Sequence, residues 1–156
     1  MTPGIAPVTL AEKSDLWAMF QRYAAELAPM ATGRPLIGEV DYPTFDNYWR
    51  EDQHWPFWAM QNGERIGFAL IRFVAERDAM QIAEFYILPE YRRAGAGRSF
   101  ARTLMRRYPG SWTMRQMAVN TGTVAFWRKV AMPYGFEESM YVDKGIERVE
   151  QTLIIT

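Results

Sequence analysis

Gly95 and Gly97 stand between a strand-like run and a helix-like run, with arginines on both sides: Pro89-Glu90-Tyr91-Arg92-Arg93-Ala94-Gly95-Ala96-Gly97-Arg98. A turn that opens a helix in this way leaves several backbone N–H groups without intrahelical partners, all pointing one way. The helix dipole adds partial positive charge at the same end. Glycine lets an anion approach the backbone without meeting a Cβ. The chemistry implied is capture of a phosphate or pyrophosphate. From Arg92 to Arg107 there are six arginines (Arg92, Arg93, Arg98, Arg102, Arg106 and Arg107) and no acid. Arg102 and Arg106, four apart, share a helix face and repel unless an anion lies near. An ordinary basic surface patch is the plain alternative. A P-loop is excluded, because Gly97 is followed by Arg98-Ser99-Phe100 rather than Gly-Lys-Ser/Thr. A dinucleotide fingerprint is excluded as well, since Phe100 stands where its third glycine belongs.

The second candidate is Glu84, a lone carboxylate in the apolar run Met80 to Leu88. Burial beside a cleft would raise its pKa toward that of a useful general base. Alternatively it points outward or pairs with Arg72. The strand period of two places Tyr86 on the same face as Glu84. His54 is the only histidine. It sits among aromatics, fits a packed loop residue, and has no partner at metal-ligand spacing. No metal is expected.

These residues need elements to position them. Ala6 to Leu10 suggests a short strand. A helix follows from Ser14 or Asp15, with Leu16, Phe20, Tyr23 and Leu27 on its apolar stripe, ended by Pro29 and Gly33. Thr44 to Asp52 suggests a short helix, and His54 to Pro56 a break. Asn62-Gly63 between apolar runs signals a hairpin. A third strand, Met80 to Leu88, leads into the glycine turn. Then come a helix to Tyr108, a strand from Trp112 to Val119, a helix from Asn120 to Met132 and two final strands, 136–142 and 148–155. The order is mixed α/β, α+β-like, and not doubly wound. One domain spanning residues 1–156 accommodates it.

The chain is 49% hydrophobic and its 18 basic and 18 acidic side chains cancel. That balance argues against a nucleic-acid-coating protein. With no cysteine, thiolate nucleophiles and disulfides are excluded. No signal peptide or membrane span is visible, so no membrane partner and a cytoplasmic setting are expected. The cancellation conceals an asymmetry. Residues 1–89 carry 7 basic and 12 acidic side chains, and residues 90–156 carry 11 and 6.

The glycine turn resembles the acetyl-coenzyme A motif of the GNAT superfamily of N-acetyltransferases, a strand end V-x-P followed by R/Q-x-x-G-x-G/A. Ile87-Leu88-Pro89 matches the strand end, and Arg92, Gly95 and Gly97 match the signature. Downstream, Asn120, Phe126 and Trp127 fit the spacing of N-x-x-A-x-x-F-Y, and Gly135-Phe136 follows. The resemblance covers nearly the whole chain. It implies the acyl-CoA N-acyltransferase fold, a central, mostly antiparallel sheet with a splayed strand pair flanked by helices. It also implies that the backbone of Arg93, Ala94, Gly95, Ala96, Gly97 and Arg98 binds pyrophosphate. Phe85, Ile87 and Leu88 would pair with the pantetheine arm, and Asn120, Phe126 and Trp127 would complete the coenzyme site. Arg93 or Arg98 would reach the 3′-phosphate.

The expected activity is acetyl transfer from acetyl-CoA to a primary amine, by direct attack with both substrates bound. The acceptor remains open between small molecule and protein. The alternative is a catalytically weak acyl-CoA-binding or phosphate-ligand-binding module. Trp127 occupies the position where the family often has a tyrosine acid, and indole has no titratable proton near neutrality. Tyr86 and Tyr134 are the replacement candidates, each with a plainer role at a core edge. The acidic, aromatic stretch from Tyr23 to His54 would suit a cationic amine or merely form a solvated face. The β-prone terminus, Gln151 to Thr156, suggests a homodimer if it lies at an edge, or an interior strand if it does not.

Overall fold

The computed structural model describes residues 3–156. Its strands are β1 (Gly4–Pro7), β2 (His54–Gln61), β3 (Glu64–Val74), β4 (Ala79–Ile87), β5 (Gly110–Met117), β6 (Glu137–Asp143) and β7 (Ile146–Ile155). Its α-helices are α1 (Lys13–Thr32), α2 (Asn47–Arg50), α3 (Ala96–Arg107) and α4 (Thr121–Ala131). The seven strands form one sheet in the order β1-β2-β3-β4-β5-β7-β6. Only β4 and β5 run parallel; the other neighbours are antiparallel. This is the mixed α/β, acyltransferase-type architecture expected from the motifs.

Each sheet face carries its own core. On one face Leu16 and Phe20 of α1 pack with Tyr48 of α2 against Trp58, Phe68, Leu70, Tyr86 and Leu88. On the other, Phe100 and Leu104 of α3 and Trp127 and Val130 of α4 cover Ile71, Ile82, Trp112, Met114 and Leu153. Each fully buried large side chain contributes about 1.5–3 kcal/mol, so the two helical layers hold the sheet from both sides.

Asn62 and Gly63 form the β2–β3 turn with φ of 52° and 77°, the two positive values a type I′ hairpin requires. Two boundaries differ from the sequence expectation. α1 runs past Pro29 to Thr32, and Gly33 caps it at φ 73°. Pro29 is exposed in the last turns, where water can satisfy the carbonyl that proline leaves unpaired. β2 begins at His54, so His54 to Pro56 do not break it. The Pro56 carbonyl accepts from Val8 N–H at 2.9 Å, and its nitrogen faces the same side, beyond the last β1 pair, Pro7↔Phe57. The terminal strand β7 lies inside the sheet, between β5 and β6. The edge strands are β1 and β6.

Gly67 pairs with Ile87 on β4. A Cβ there would sit 2.1 Å from the Tyr86 carbonyl oxygen and 3.0 Å from Ile87 Cα. Neither backbone atom can move without opening the ladder. Gly67→Ala is expected to destabilise the protein by about 3 kcal/mol or more, read as a lowered urea midpoint.

Candidate active site

β4 and β5 pair only through Met80↔Trp112, Gln81↔Thr113 and Ile82↔Met114. Beyond Ile82 the two strands part, while β5 stays paired to β7 as far as Met117↔Arg148. The edge of β4 facing the gap therefore has unpaired backbone groups, suited to an extended ligand that adds as a strand. A cleft of about 590 Å³ opens there. Tyr23, Glu26, Leu27 and Met30 of α1 form one wall, Phe85 to Ile87 the floor, and Asn120 to Lys129 the far wall, with Arg92, Arg93, Gly95, Gly97 and Arg98 at one end.

The glycine turn is built for backbone presentation. Gly95 caps α3 at φ 80°, a left-handed conformation that L side chains resist. The first bond back into the helix runs from Ser99 N–H to Gly95 O at 3.0 Å. The N–H groups of Ala96, Gly97 and Arg98 precede it and have no helical acceptor. Gly97 serves packing. A Cβ there would come within 3.2 Å of the Phe126 ring and 3.4 Å of Ile87. Arg93 holds φ 75°, which strains a non-glycine residue while keeping the loop turned toward the cleft. Arg93, Arg98 and Lys129 line the cleft and form no ion pair among the described residues.

Other arginines of the run are committed elsewhere. Arg92 donates through Nε to the Ile87 carbonyl at 2.8 Å and through Nη2 to both Glu26 oxygens at 3.1 and 2.9 Å. It ties the loop to the strand end and to α1. Arg102 donates to the Val130 and Lys129 carbonyls, at the negative end of the α4 dipole. Arg106 donates to the Tyr134 hydroxyl at 3.3 Å. The apparent repulsion between Arg102 and Arg106 is thus relieved by carbonyl and hydroxyl oxygens of the protein itself.

Glu84 lies on the other side of β4, toward α1. The register shifts between Leu70↔Glu84 and Ile71↔Ile82, leaving Ala83 as an extra residue, a β-bulge. Glu84 is half-buried. Its Oε1 accepts from Tyr23 Oη at 2.7 Å and its Oε2 from Tyr42 Oη at 3.3 Å. Burial pushes its pKa up to about 7; the two phenol hydrogen bonds, Arg148 and Arg72 pull the other way. Burial first, then the Glu84 charge, holds the Tyr23 phenol well above its ordinary pKa, and Tyr42 is raised by the same causes. Both phenols therefore remain neutral donors. The anticipated Arg72 partnership does not form, since Arg72 Nε donates instead to Gln81 Oε1 at 2.8 Å.

Of the residues singled out from the sequence, the cleft brings together Phe85, Tyr86, Ile87, Arg92, Arg93, Gly95, Gly97, Arg98, Asn120 and Phe126. Asn120 Oδ1 accepts from Thr123 N–H at 3.3 Å and caps α4. Tyr86 Oη donates to Glu26 Oε1 at 3.2 Å, and its pKa is raised, by burial before the Glu26 charge. Leu88 and Ala96 are buried, and Ala94 is exposed on the loop. Trp127 is a core residue, edge-on to Phe85 and Phe126 at 5.0 Å each. Tyr134 lines a different depression with Trp112 and Phe136 and is not brought to Glu84. Lys129 was not singled out from the sequence, and Tyr23 and Tyr42 only as members of the acidic, aromatic stretch, without their link to Glu84. Tyr23 lay on an apolar helical stripe, and nothing local connects it to a carboxylate 61 positions away.

Part of the acidic stretch before β2 is engaged within the fold. Glu26 holds Arg92, and Asp46 pairs with Lys13. His54 Nδ1 lies 2.8 Å from the Asp52 carbonyl. Among the described residues no group of three His, Cys, Asp or Glu is placed to hold a metal, and no helix is long and apolar enough to cross a membrane.

A comparison with curated proteins returns no match. Solved structures with the same fold include the ribosomal-protein-S18-alanine N-acetyltransferase of Escherichia coli, 16% identical, covering 99% of this chain and 95% of that one, with a TM-score of 0.66. The aminoglycoside acetyltransferase AAC(6')-Ib in complex with coenzyme A is 15% identical, covering 98% and 95%, with a TM-score of 0.71. Arabidopsis thaliana NAA60 with a bisubstrate analogue is 13% identical, covering 99% of each chain, with a TM-score of 0.66. A family model described as the acetyltransferase (GNAT) family matches residues 17–132. That span takes in most of α1, the bulged strand, the glycine turn and the Asn120-capped helix, and it makes the chain a member of the acetyltransferase (GNAT) family, an acetyl-CoA-dependent acetyltransferase.

Proposed function

We propose that the enzyme transfers acetyl from acetyl-CoA to a primary amine by direct attack in a ternary complex, with Glu84 as general base. The observation that carries this is Glu84 itself, a carboxylate held by two neutral phenols, with its pKa raised to about 7. A base poised near neutrality can take the ammonium proton and still be deprotonated in a useful fraction of molecules. The chain has no cysteine, so a thiol-linked acyl-enzyme is excluded.

Each residue has a place in this scheme. The N–H groups of Ala96, Gly97 and Arg98 receive the pyrophosphate, with Arg93, Arg98 and Lys129 offsetting its charge. The open edge of β4 from Phe85 to Ile87 pairs with the pantetheine arm, and Asn120, which caps α4 through its Oδ1, lines the same cleft. Acetyl-CoA supplies the activated carbonyl. Glu84 accepts the proton of the amine as the new N–C bond forms. The C–S bond then breaks, its electron pair leaves on sulfur, and Tyr86 is the donor that protonates it. Tyr86 is favoured over Tyr134 because Tyr86 lines the cleft and Tyr134 a different depression.

The supporting experiment is calorimetric titration with acetyl-CoA and with free CoA, followed by thiol-release assays on a panel of amines. Binding with turnover on at least one amine, and intersecting initial-rate patterns, is expected. Tight binding without turnover on any amine would favour a binding module. Residues 1–156 are read as one domain because the strands form one sheet. A cytoplasmic setting belongs to the same reading, as does a homodimer, although the terminal strand on which the dimer was expected lies inside the sheet.

A further inference from the structure

α1 and α2 cover the Glu84 face of the sheet over β2, β3 and the end of β4. Farther along, the same face carries polar side chains from β5, β7 and β6. Leu153 and Gln151 stand opposite Trp112 and Met114 of the α3–α4 core, and Val149 follows them in the same alternation opposite Gln116. Arg148 and Glu150 therefore point to the Glu84 side. Glu150 is already neutralised twice, by Arg77 Nη2 and Arg115 Nε, each at 2.6 Å. Arg148 is different. It pairs across to Met117, at the parted end of β5, and to Tyr141 of β6. Its Nε is buried without a hydrogen-bond partner, and its one ion pair among the described residues is loose, to Asp143 Oδ2 at 3.7 Å with that carboxylate half-exposed. Arg72 uses Nε on Gln81 and forms no ion pair among the described residues. A guanidinium has five donors, so both arginines keep most of theirs unspent. Both are close enough to act on the Glu84 charge.

This surrounding suits one class of acceptor. An amine with no other charge would bring an ammonium toward two under-paired guanidiniums. An amine that carries its own anion meets complementary charge at both ends. We infer that the acceptor is a small amine bearing an anionic group, a carboxylate or a phosphate, held by Arg148 with Arg72 beside it while the nitrogen faces Glu84. The inference rests on Glu84 as the base and goes further by naming the chemistry of the substrate. Arg148 is a specificity residue in it, and what sets it apart from Arg77 and Arg115 is an Nε with no hydrogen bond and only a 3.7 Å ion pair, against their 2.6 Å bonds to Glu150.

The test compares matched pairs of amines: each L-amino acid with its amide, glycine with glycinamide, and O-phosphoethanolamine with ethanolamine. At least one anionic member is expected to exceed its neutral partner about 10- to 100-fold in kcat/KM, the discrimination a charged hydrogen bond supplies. The carboxylate and phosphate arms show which anion is preferred. Arg148→Ala should erase that preference mainly through KM, Arg148→Lys should restore part of it, and the Kd for CoA should stay unchanged in both. Equal turnover of neutral and anionic partners, or an equal loss on both in Arg148→Ala, overturns the inference and leaves Glu84's role standing. No turnover of any amine, with acetyl-CoA bound, overturns both. The paired-substrate comparison on the unaltered enzyme decides the point even if Arg148→Ala fails to fold.

Discussion

Glu84→Gln is expected to lower kcat/KM by about 10²- to 10⁴-fold, the range of a lost general base, with the Kd for CoA unchanged. Glutamine keeps the shape of the side chain and can still accept from Tyr23 through its carbonyl oxygen, while its amide N–H₂ takes the other position and donates to the Tyr42 hydroxyl oxygen. What it cannot do is take a proton. The pH profile is the sharper readout. Because burial raises the Glu84 pKa to about 7, the active, deprotonated form grows as pH rises through that value. The rate should therefore climb with a midpoint near 7, in addition to any limb from the amine, and this limb should vanish in Glu84→Gln. A variant retaining the limb would assign the base elsewhere. Stability runs in the opposite direction. A carboxyl whose pKa is raised on folding binds its proton more tightly in the folded state, so this contribution is full below pH 4.5 and is lost as pH rises through about 7. The loss is at most about 3 kcal/mol. Urea unfolding at pH 4.5 and pH 8 should show the variant relatively more stable than the parent at the higher pH.

Gly95→Val is expected to weaken CoA binding at least about 100-fold while α3 and the rest of the fold persist. The backbone at φ 80° disfavours any L side chain and a β-branched one most. The loop would turn, and the N–H groups of Ala96, Gly97 and Arg98 would no longer converge. Three charge-assisted hydrogen bonds at about 1.5–3 kcal/mol each make a hundredfold loss a low figure. Gly97→Val should give a similar loss by another route, since its methyls would drive Phe126 and Ile87 apart and lift the helix from the cleft floor. Calorimetry measures the affinity, and circular dichroism checks that helix content is retained. Undiminished affinity in Gly95→Val would remove the pyrophosphate from this loop.

Much of the fold was written locally. Asn62-Gly63 and Gly95-Ala96-Gly97 encode backbone conformations few other residues adopt, and both turned the chain where expected. The element order followed from such punctuation and from apolar periodicity. Proline was the less dependable mark, because its effect depends on which neighbour needs the missing N–H. Pro29 is exposed within α1, and Pro56 lies in β2 where β1 has ended. Within the site, the coenzyme half was legible because a loop and the first turn of a helix form it contiguously. Its arginines were only half legible. Charge was visible, but not that Arg92 would be spent on Glu26 and Arg102 on the end of α4. The Glu84 half was legible only as an anomaly. Its partners come from 61 and 42 positions away.

The extra residue at Ala83 shows how much depends on one position in β4. Up to Ile82 the strand alternates in one phase, with Met80 and Ile82 in the α3–α4 core. Past the bulge it alternates in the other, with Phe85 and Ile87 against that core and Glu84 and Tyr86 facing α1. The bulge is a phase shift in a two-stroke pattern. Without it the downstream residues would exchange sides, putting a carboxylate among Phe100, Phe126 and Trp127 and a phenyl ring where the proton is taken. Substitution at this point is a question of side-chain fit. Insertion or deletion is a question of which half of the enzyme receives which chemistry, so in this strand length is constrained more tightly than identity.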